Sequence, residues 1–168
     1  MEERDLKPTY NTLRLYLSAP IRSSEYNQKI CNYFNNRDFS VFLPQTMTPK
    51  RVSDEYFPYH VYTNCIKEME KSDLCLLLPP YGNDCAFEIG WYRKAEKPVI
   101  VYVADRISFL RDWMVKGGCD AFITDSPTTF QVFREDPIIG NKPHYLIASL
   151  NELPYKVREV YEILTKKY

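Results

Sequence analysis

Glycine is scarce and charge is balanced: five glycines occur in 168 residues, and 22 Lys+Arg meet 22 Asp+Glu. Zero net charge excludes the broad basic field that general binding to nucleic acid or anionic membrane requires, although a local cationic patch stays open. No run of about 18 apolar residues occurs, which excludes a membrane-spanning helix. Met1 to Tyr10 is polar and charged, without the apolar core of a signal peptide, so a cytoplasmic location is expected. The cysteines Cys31, Cys65, Cys75, Cys85 and Cys119 are odd in number and contain no C-x-x-C pair. That spacing suits neither a disulfide framework nor a zinc site, and reads as reduced thiols packing as small hydrophobes. His60 and His144 lack a ligand partner at helical spacing, so no metal is expected. The phosphate signatures G-x-G-x-x-G and G-x-x-x-x-G-K-[ST] are absent, as is G-x-S-x-G. Their absence argues against a dinucleotide dehydrogenase, a P-loop enzyme and a serine hydrolase, and no cofactor is expected.

What is present points to one globular domain over residues 1–168. A 45% apolar fraction is enough for a chain of this length to bury roughly two-thirds of its unfolded surface. Residues 1–12 are expected to be a flexible N-terminus and 149–168 a C-terminal helix. Leu13 to Ser18 is an apolar-rich run stopped by Ala19-Pro20, and reads as a strand. A helix is expected from Ser23 or Ser24 to about Asn36, with Tyr26, Ile30, Tyr33 and Phe34 at helical spacing. Ser40 to Leu43 reads as a second strand; residues 44–58 are too long for a plain connector and are expected to form a functional loop. A helix over Tyr59 to Lys71 sets Val61, Cys65, Ile66 and Met69 on one face. The apolar runs Asp73–Leu78 and Pro98–Val103 predict strands covered on both sides. Helices are expected from near Asp84 and over Ser108–Lys116, with a fifth strand over Asp120–Thr124. After a Pro-rich loop, the capping box Ser149-x-x-Glu152 opens a helix whose buried stripe is Leu153, Val157, Val160 and Leu164. This alternation predicts a single-domain α/β fold, three layers α/β/α around an open, mostly parallel five-stranded sheet of the Rossmann/flavodoxin-like kind.

In such a sheet, ligands bind beyond the carboxyl ends of the strands. Ser18–Ser24, Asp73 with Pro79–Glu88, and Ala104–Ile107 are assigned to that edge. Gly82-Asn83-Asp84-Cys85-Ala86-Phe87-Glu88-Ile89-Gly90 carries two acids four residues apart, which share one face of a helix. Two readings stay open. Asp84 can cap the helix while Glu88 favours its positive end, or both carboxyls can serve chemistry at the ligand edge. Gly90 leaves space beside Glu88 at some cost in helix propensity.

Four segments then fall into a recognisable order: Tyr16-Leu17-Ser18-Ala19-Pro20-Ile21, Ser72-Asp73 opening a buried strand, Phe87-Glu88-Ile89-Gly90, and Lys97-Pro98-Val99-Ile100. Over residues 13–124 this set resembles the nucleoside 2-deoxyribosyltransferase superfamily. The resemblance implies Glu88 as the nucleophilic glutamate, Asp73 as the acid that holds and protonates the leaving base, and Tyr16 as the tyrosine near the nucleophile. The residue types suit the chemistry. Breaking an N-glycosidic bond develops oxocarbenium-like charge that a carboxylate can capture covalently. A second carboxyl, raised by desolvation, can protonate the departing base. The sugar then passes to another base or to water, with no metal or redox cofactor. Ser18, Pro20, Ile21 and Arg22 are expected to contact substrate. Ile21-Arg22-Ser23-Ser24 is similar to the loop of the 2'-deoxynucleoside 5'-phosphate N-hydrolase branch, where an arginine and its neighbours hold the 5'-phosphate. Physically, an arginine and free N–H groups at a helix start suit a monophosphate; an exposed arginine beside two capping serines is the other reading.

The chain also departs from the family. Six residues before the glutamate the family has Asp or Ser, and here stands Gly82; Gly82, Asn83 and Asp84 are therefore expected at the sugar. Met114-x-x-Gly117-x-x-Asp120 is similar to the stretch that completes a neighbouring subunit's site, which implies a homo-oligomer, dimer or higher, with Asp120 at the substrate. The amide or hydroxyl residue that follows in the family is replaced by Ala121 and Phe122. The expected partner is a small nucleoside or nucleotide, with no nucleic acid and no membrane. A nicotinamide-nucleotide glycohydrolase, and an inactive nucleotide-binding or signalling module, stay open as alternatives. Among 14 Tyr, 9 Phe and 2 Trp, most rings are expected in the core or an interface, with Tyr16 the best candidate to face a base.

Overall fold

The computed structural model describes residues 11–35, 38–47, 55–104 and 112–166. Among them, parallel strands β1 (Leu13–Ser18), β2 (Phe39–Phe42), β3 (Leu74–Leu77), β4 (Val99–Tyr102), β5 (Ala121–Thr124) and β6 (His144–Leu146) form one sheet in the order β2-β1-β3-β4-β5-β6. Helices α1 (Ser24–Phe34), α2 (Phe57–Lys71), α3 (Asn83–Lys94), α4 (Trp113–Gly118), α5 (Pro127–Glu135) and α6 (Leu153–Thr165) cover it. The step from β1 to β2 runs one way along the sheet and the step from β2 to β3 runs the other. The order therefore reverses at the β1/β3 boundary, where an open α/β sheet forms its ligand crevice. The register Leu15↔Leu74 and Ser18↔Leu77 brings the carboxyl ends of β1 and β3 level there.

Side chains alternate across a strand, and β1 divides its own between the two cores. Leu13, Leu15 and Leu17 pack with Ile30, Cys31 and Phe34 of α1 and with Leu153, Val157 and Val160 of α6. Tyr16 joins the opposite core with Met69 of α2, Ile89 and Tyr92 of α3, and Phe133 of α5. Strands β3, β4 and β5 are buried at every position, as continuous apolar runs must be in a sheet covered on both faces. Each fully buried Leu or Val contributes roughly 1.5–3 kcal/mol. At Gly118 the two helices of one layer come closest: a Cβ there would lie 2.8 Å from Ile89 Cγ2 of α3.

Two lysines close helix ends. Lys97 Nζ donates to the carbonyls of Met69 at 3.1 Å, Glu70 at 2.6 Å and Ser72 at 2.7 Å, at the end of α2. Lys142 Nζ does the same for Lys116 at 3.1 Å, Gly117 at 2.7 Å and Cys119 at 2.5 Å, at the end of α4. The last carbonyls of a helix lack intrahelical donors and carry its negative pole, so an ammonium satisfies both needs.

The sheet has six strands where the sequence suggests five. Both β6 and α5 fall in the stretch read as a Pro-rich loop. Strand β6 is three residues long and only partly buried, too short to show a period. Helix α5 starts on Ser126-Pro127, with Ser126 Oγ accepting from Thr129 N at 3.2 Å. The N-cap of α3 is Gly82 rather than Asp84. The final capping box is half made: Glu152 Oε2 accepts from Ala148 N at 3.2 Å, but Ser149 makes no side-chain cap bond, and a 3-10 turn, Leu150–Glu152, leads into α6. Most of the expected N-terminus, residues 48–54 of the long loop, and residues 105–111, which include the expected start of the helix before β5, lie outside the described residues. No helix among the described residues is long and apolar enough to cross a membrane.

Candidate active site

Tyr16 and Ser18 are two apart on β1 and so share its face. Across from them, Glu88 lies in the second turn of α3, the helix that starts as the chain leaves β3. The helix thus lowers one carboxylate onto the end of β1, at the point where strand order reverses. Tyr16 Oη donates to Glu88 Oε1 at 2.6 Å, and Ser18 Oγ donates to Oε2 at 2.5 Å. Tyr16 and Ser18 are fully buried and Glu88 is 9% exposed. The Tyr16 ring is fixed between Phe42, at 5.5 Å between centroids, and Tyr92, at 6.0 Å.

Burial dominates the electrostatics and raises the Glu88 pKa above the ordinary carboxylate range. The hydroxyls of Ser18 and Tyr16 act against it by stabilising the charged form, while the negative charge of Asp84 adds to it. The Tyr16 phenol is pushed far up, by burial first and then by Glu88, so it remains a proton donor. Three thiols surround the pair: Cys65 from α2, Cys75 from β3 and Cys85 from α3. Burial raises all three, which keeps them neutral. Cys65 also interacts with the Tyr16 hydroxyl, and Cys85 with Ser18.

The sequence expectation brings Tyr16, Ser18 and Glu88 together as the structure does, but Asp73, expected with them, lies elsewhere. Asp73 precedes β3, and in a parallel sheet that is the amino edge, about 13 Å along the strand from the Glu88 end. There its Oδ2 accepts from Arg14 N at 2.7 Å, and its own N–H donates to Arg14 O at 2.8 Å. Asp120 occupies the same kind of place before β5: Oδ1 accepts from Arg93 Nη1 at 2.6 Å and Oδ2 from Val99 N at 2.8 Å. Both carboxylates close the sheet at the edge away from Glu88. We expect Asp73→Ala to lower unfolding free energy by roughly 0.5–1.5 kcal/mol while leaving turnover intact, measured by urea denaturation and by base release. A turnover loss larger than tenfold would return Asp73 to the site.

The first loop lies where it was expected, beyond the end of β1. Pro20 O accepts from Ser23 N at 3.0 Å and from Asn27 Nδ2 at 3.0 Å, which folds Ile21–Ser23 into one 3-10 turn. Ile21 is 67% exposed. Arg22 is exposed, with no hydrogen-bond or ion-pair partner among the described residues. Ser23, the N-cap of α1, makes no side-chain cap bond. Gly82 ends the turn before α3, and Asn83 and Asp84 stand exposed in its first turn. Tyr16 is no stacking surface, because only its hydroxyl meets Glu88 while its ring is packed in the core. Cys65 was not foreseen at the site. Its signal was the buried stripe of α2, but which stripe residue meets β1 depends on how the helix docks. Two surface hollows, of about 440 Å³ beside Arg14, Ser40, Glu68 and Lys71 and about 500 Å³ beside Ser24, Gln28 and Gln45, are lined by residues other than Glu88. Among the described residues, no group of three or more His, Cys, Asp or Glu is arranged to hold a metal.

Solved structures share this fold. The 2-deoxyribosyltransferase of Bacillus psychrosaccharolyticus superposes with a TM-score of 0.55 at 17% identity, covering 65% of this chain and 84% of that one. The CMP N-glycosidase of Clostridium botulinum gives 0.50 at 14% identity, covering 86% of this chain and 98% of that one. The fold is theirs. No protein-family model and no curated protein matches the chain by sequence.

Proposed function

We propose that the protein cleaves the N-glycosidic bond of a nucleoside or nucleoside 5'-monophosphate through a covalent glycosyl-Glu88 intermediate. The observation that carries this reading is a buried carboxylate, held by hydroxyl donors on both oxygens, at the switch point of a doubly wound sheet. The two named fold neighbours, a deoxyribosyltransferase and a CMP N-glycosidase, support it.

In the proposed reaction, a lone pair of Glu88 forms a bond to the anomeric carbon as the carbon–nitrogen bond breaks and its electron pair leaves with the base. The base takes up a proton from solvent, and the attacking base or water later returns one. A second base or a water then attacks the same carbon and releases Glu88 as carboxylate. Tyr16 stays protonated throughout and orients the carboxylate. Asp84, whose charge reaches Glu88 from the exposed turn before it, is the carboxyl available to hold sugar hydroxyls or to serve the leaving base. Arg22, with the uncapped N-terminus of α1 beside it, supplies a local site for a 5'-phosphate. A homo-oligomer, its copies meeting over exposed Phe87, Trp113 and Met114, belongs to the same reading.

The test is a panel of ribo- and deoxyribonucleosides, their monophosphates and NAD, each with and without a free acceptor base. Base exchange that needs acceptor indicates transfer, release without acceptor indicates hydrolysis, and neither from any substrate ends the proposal. In that panel Arg22→Ala is expected to raise KM for monophosphates by about 10- to 100-fold, the loss of one or two charge-assisted contacts. KM for unphosphorylated nucleosides stays as in the wild type. Equal effects on both classes would remove Arg22 from the phosphate site.

A further inference from the structure

We propose that Ser18 is a positioning residue for Glu88: its hydroxyl holds Oε2 toward the ligand edge, as the attacking oxygen, while Tyr16 keeps Oε1 on the core side. The inference rests on the reading of Glu88 as nucleophile. Its ground is the direction of β1. Ser18 lies two residues beyond Tyr16 on the same face, about 7 Å nearer the carboxyl edge, and each hydroxyl takes a different oxygen of one carboxylate. A sugar arriving from that edge meets Oε2 first. With both oxygens held, the terminal torsion of Glu88, otherwise broad, has one setting.

Ser18 is itself well anchored. Its carbonyl accepts from Leu78 N at 2.9 Å, and its strand position pairs with Leu77. As Oε2 bonds to the anomeric carbon it gives up its negative charge, Oε1 becomes the ester carbonyl under the Tyr16 hydroxyl, and the Ser18 hydroxyl is released. When the ester breaks, Ser18 recovers the same oxygen. The ester breaks as the second base or water bonds to the anomeric carbon, and no oxidant is involved.

The titratable groups facing Glu88 are Tyr16 on β1, Cys65 on α2, Cys75 on β3, and Asp84, Cys85 and Tyr92 on α3. Burial keeps the phenols and thiols neutral, so the opposing charge is that of Asp84. Loss of the Ser18 hydroxyl leaves burial and Asp84 less opposed, and Glu88 binds its proton more tightly.

The experiment follows the Glu88 side-chain carboxyl by 13C NMR in ligand-free protein, and the pH profile of base release, for wild type, Ser18→Ala and Ser18→Cys. Ser18→Ala is expected to raise the Glu88 titration by roughly one pH unit and to carry the acid limb of kcat/KM up with it. At the plateau kcat falls about tenfold with KM little changed, the effect of a nucleophile less well aimed. Ser18→Cys, of similar size and a weaker donor, falls between. A titration unmoved in Ser18→Ala overturns the Ser18 role alone. A titration that moves while the acid limb and kcat stay put also overturns it. If the wild type releases no base from any substrate, the nucleophile reading falls, and the positioning role falls with it.

Discussion

Glu88→Gln is expected to abolish base release and exchange, by roughly 10³-fold or more, while leaving the fold as stable as before or more so. On the proposed mechanism the activity loss follows from removing the oxygen that would bond to the sugar, since an amide is a far weaker nucleophile. The stability gain follows from linkage. Burial raises the folded-state pKa of Glu88 above its unfolded value. A raised carboxyl contributes its full share to stability below the unfolded pKa and loses it as pH climbs through the folded one. At neutral pH the wild type therefore holds a charge it would sooner neutralise, and glutamine removes that burden. The advantage of the variant in thermal midpoint should grow from acidic to neutral pH and vanish where both side chains are uncharged. Turnover within tenfold of wild type would end the nucleophile assignment. A midpoint that drops sharply at neutral pH would make Glu88 a structural acid.

Lys116→Met is the substitution with the largest expected effect on stability. Lys116 is 3% exposed, and its Nζ lies 2.6 Å from Asp136 Oδ2. Asp136 also accepts from the N–H groups of Ile138 at 2.9 Å and Ile139 at 3.0 Å. Burial alone would raise the Asp136 carboxyl, but the Lys116 ammonium and the two N–H donors outweigh it and hold the pKa below the ordinary value. The pair ties α4 to the end of α5. Removing the cation leaves Asp136 enclosed without its partner, at a cost of about 3 kcal/mol, the low end for broken buried pairs because two N–H donors remain. The loss is read from the urea midpoint at constant m-value. Because the carboxyl pKa is depressed, this contribution is present above the unfolded carboxylate pKa and fades as pH falls through the folded one. The gap between variant and wild type should therefore close below about pH 4. A change under about 1 kcal/mol at neutral pH would show that the pair is no better than a surface one.

The fold was readable wherever burial on both faces left a continuous apolar run, as in Leu74–Leu77 and Val99–Tyr102. It was unreadable where the element was short and half-covered. His144–Leu146 pairs with β5 through its backbone, which no side-chain pattern records. Helix α5 did leave a signal: a serine cap followed by proline at the first helical position. At the site, Glu88 and Tyr16 were legible by residue type and order. Asp73 was misplaced because an acid before a strand was assigned to the edge after it; in a parallel sheet the direction of the strand decides the matter. The bond from Ser18 to Glu88 depends on side-chain torsions and helix docking, and sequence spacing carries neither.

The two edges of the sheet have consequences for how the protein tolerates change. At the amino edge, Asp73 and Asp120 accept backbone N–H groups of the neighbouring strands. At the carboxyl edge lie the loop after β1 and the turn before α3, where a ligand would sit. Substitutions at the first edge should act on abundance and those at the second on turnover, with little crossover. A library scored separately for yield and for activity should then sort by position along the strand axis more than by distance in sequence. Loops at the carboxyl edge could be exchanged between proteins of this fold without disturbing the strand register, which gives such a sheet room to acquire new substrates.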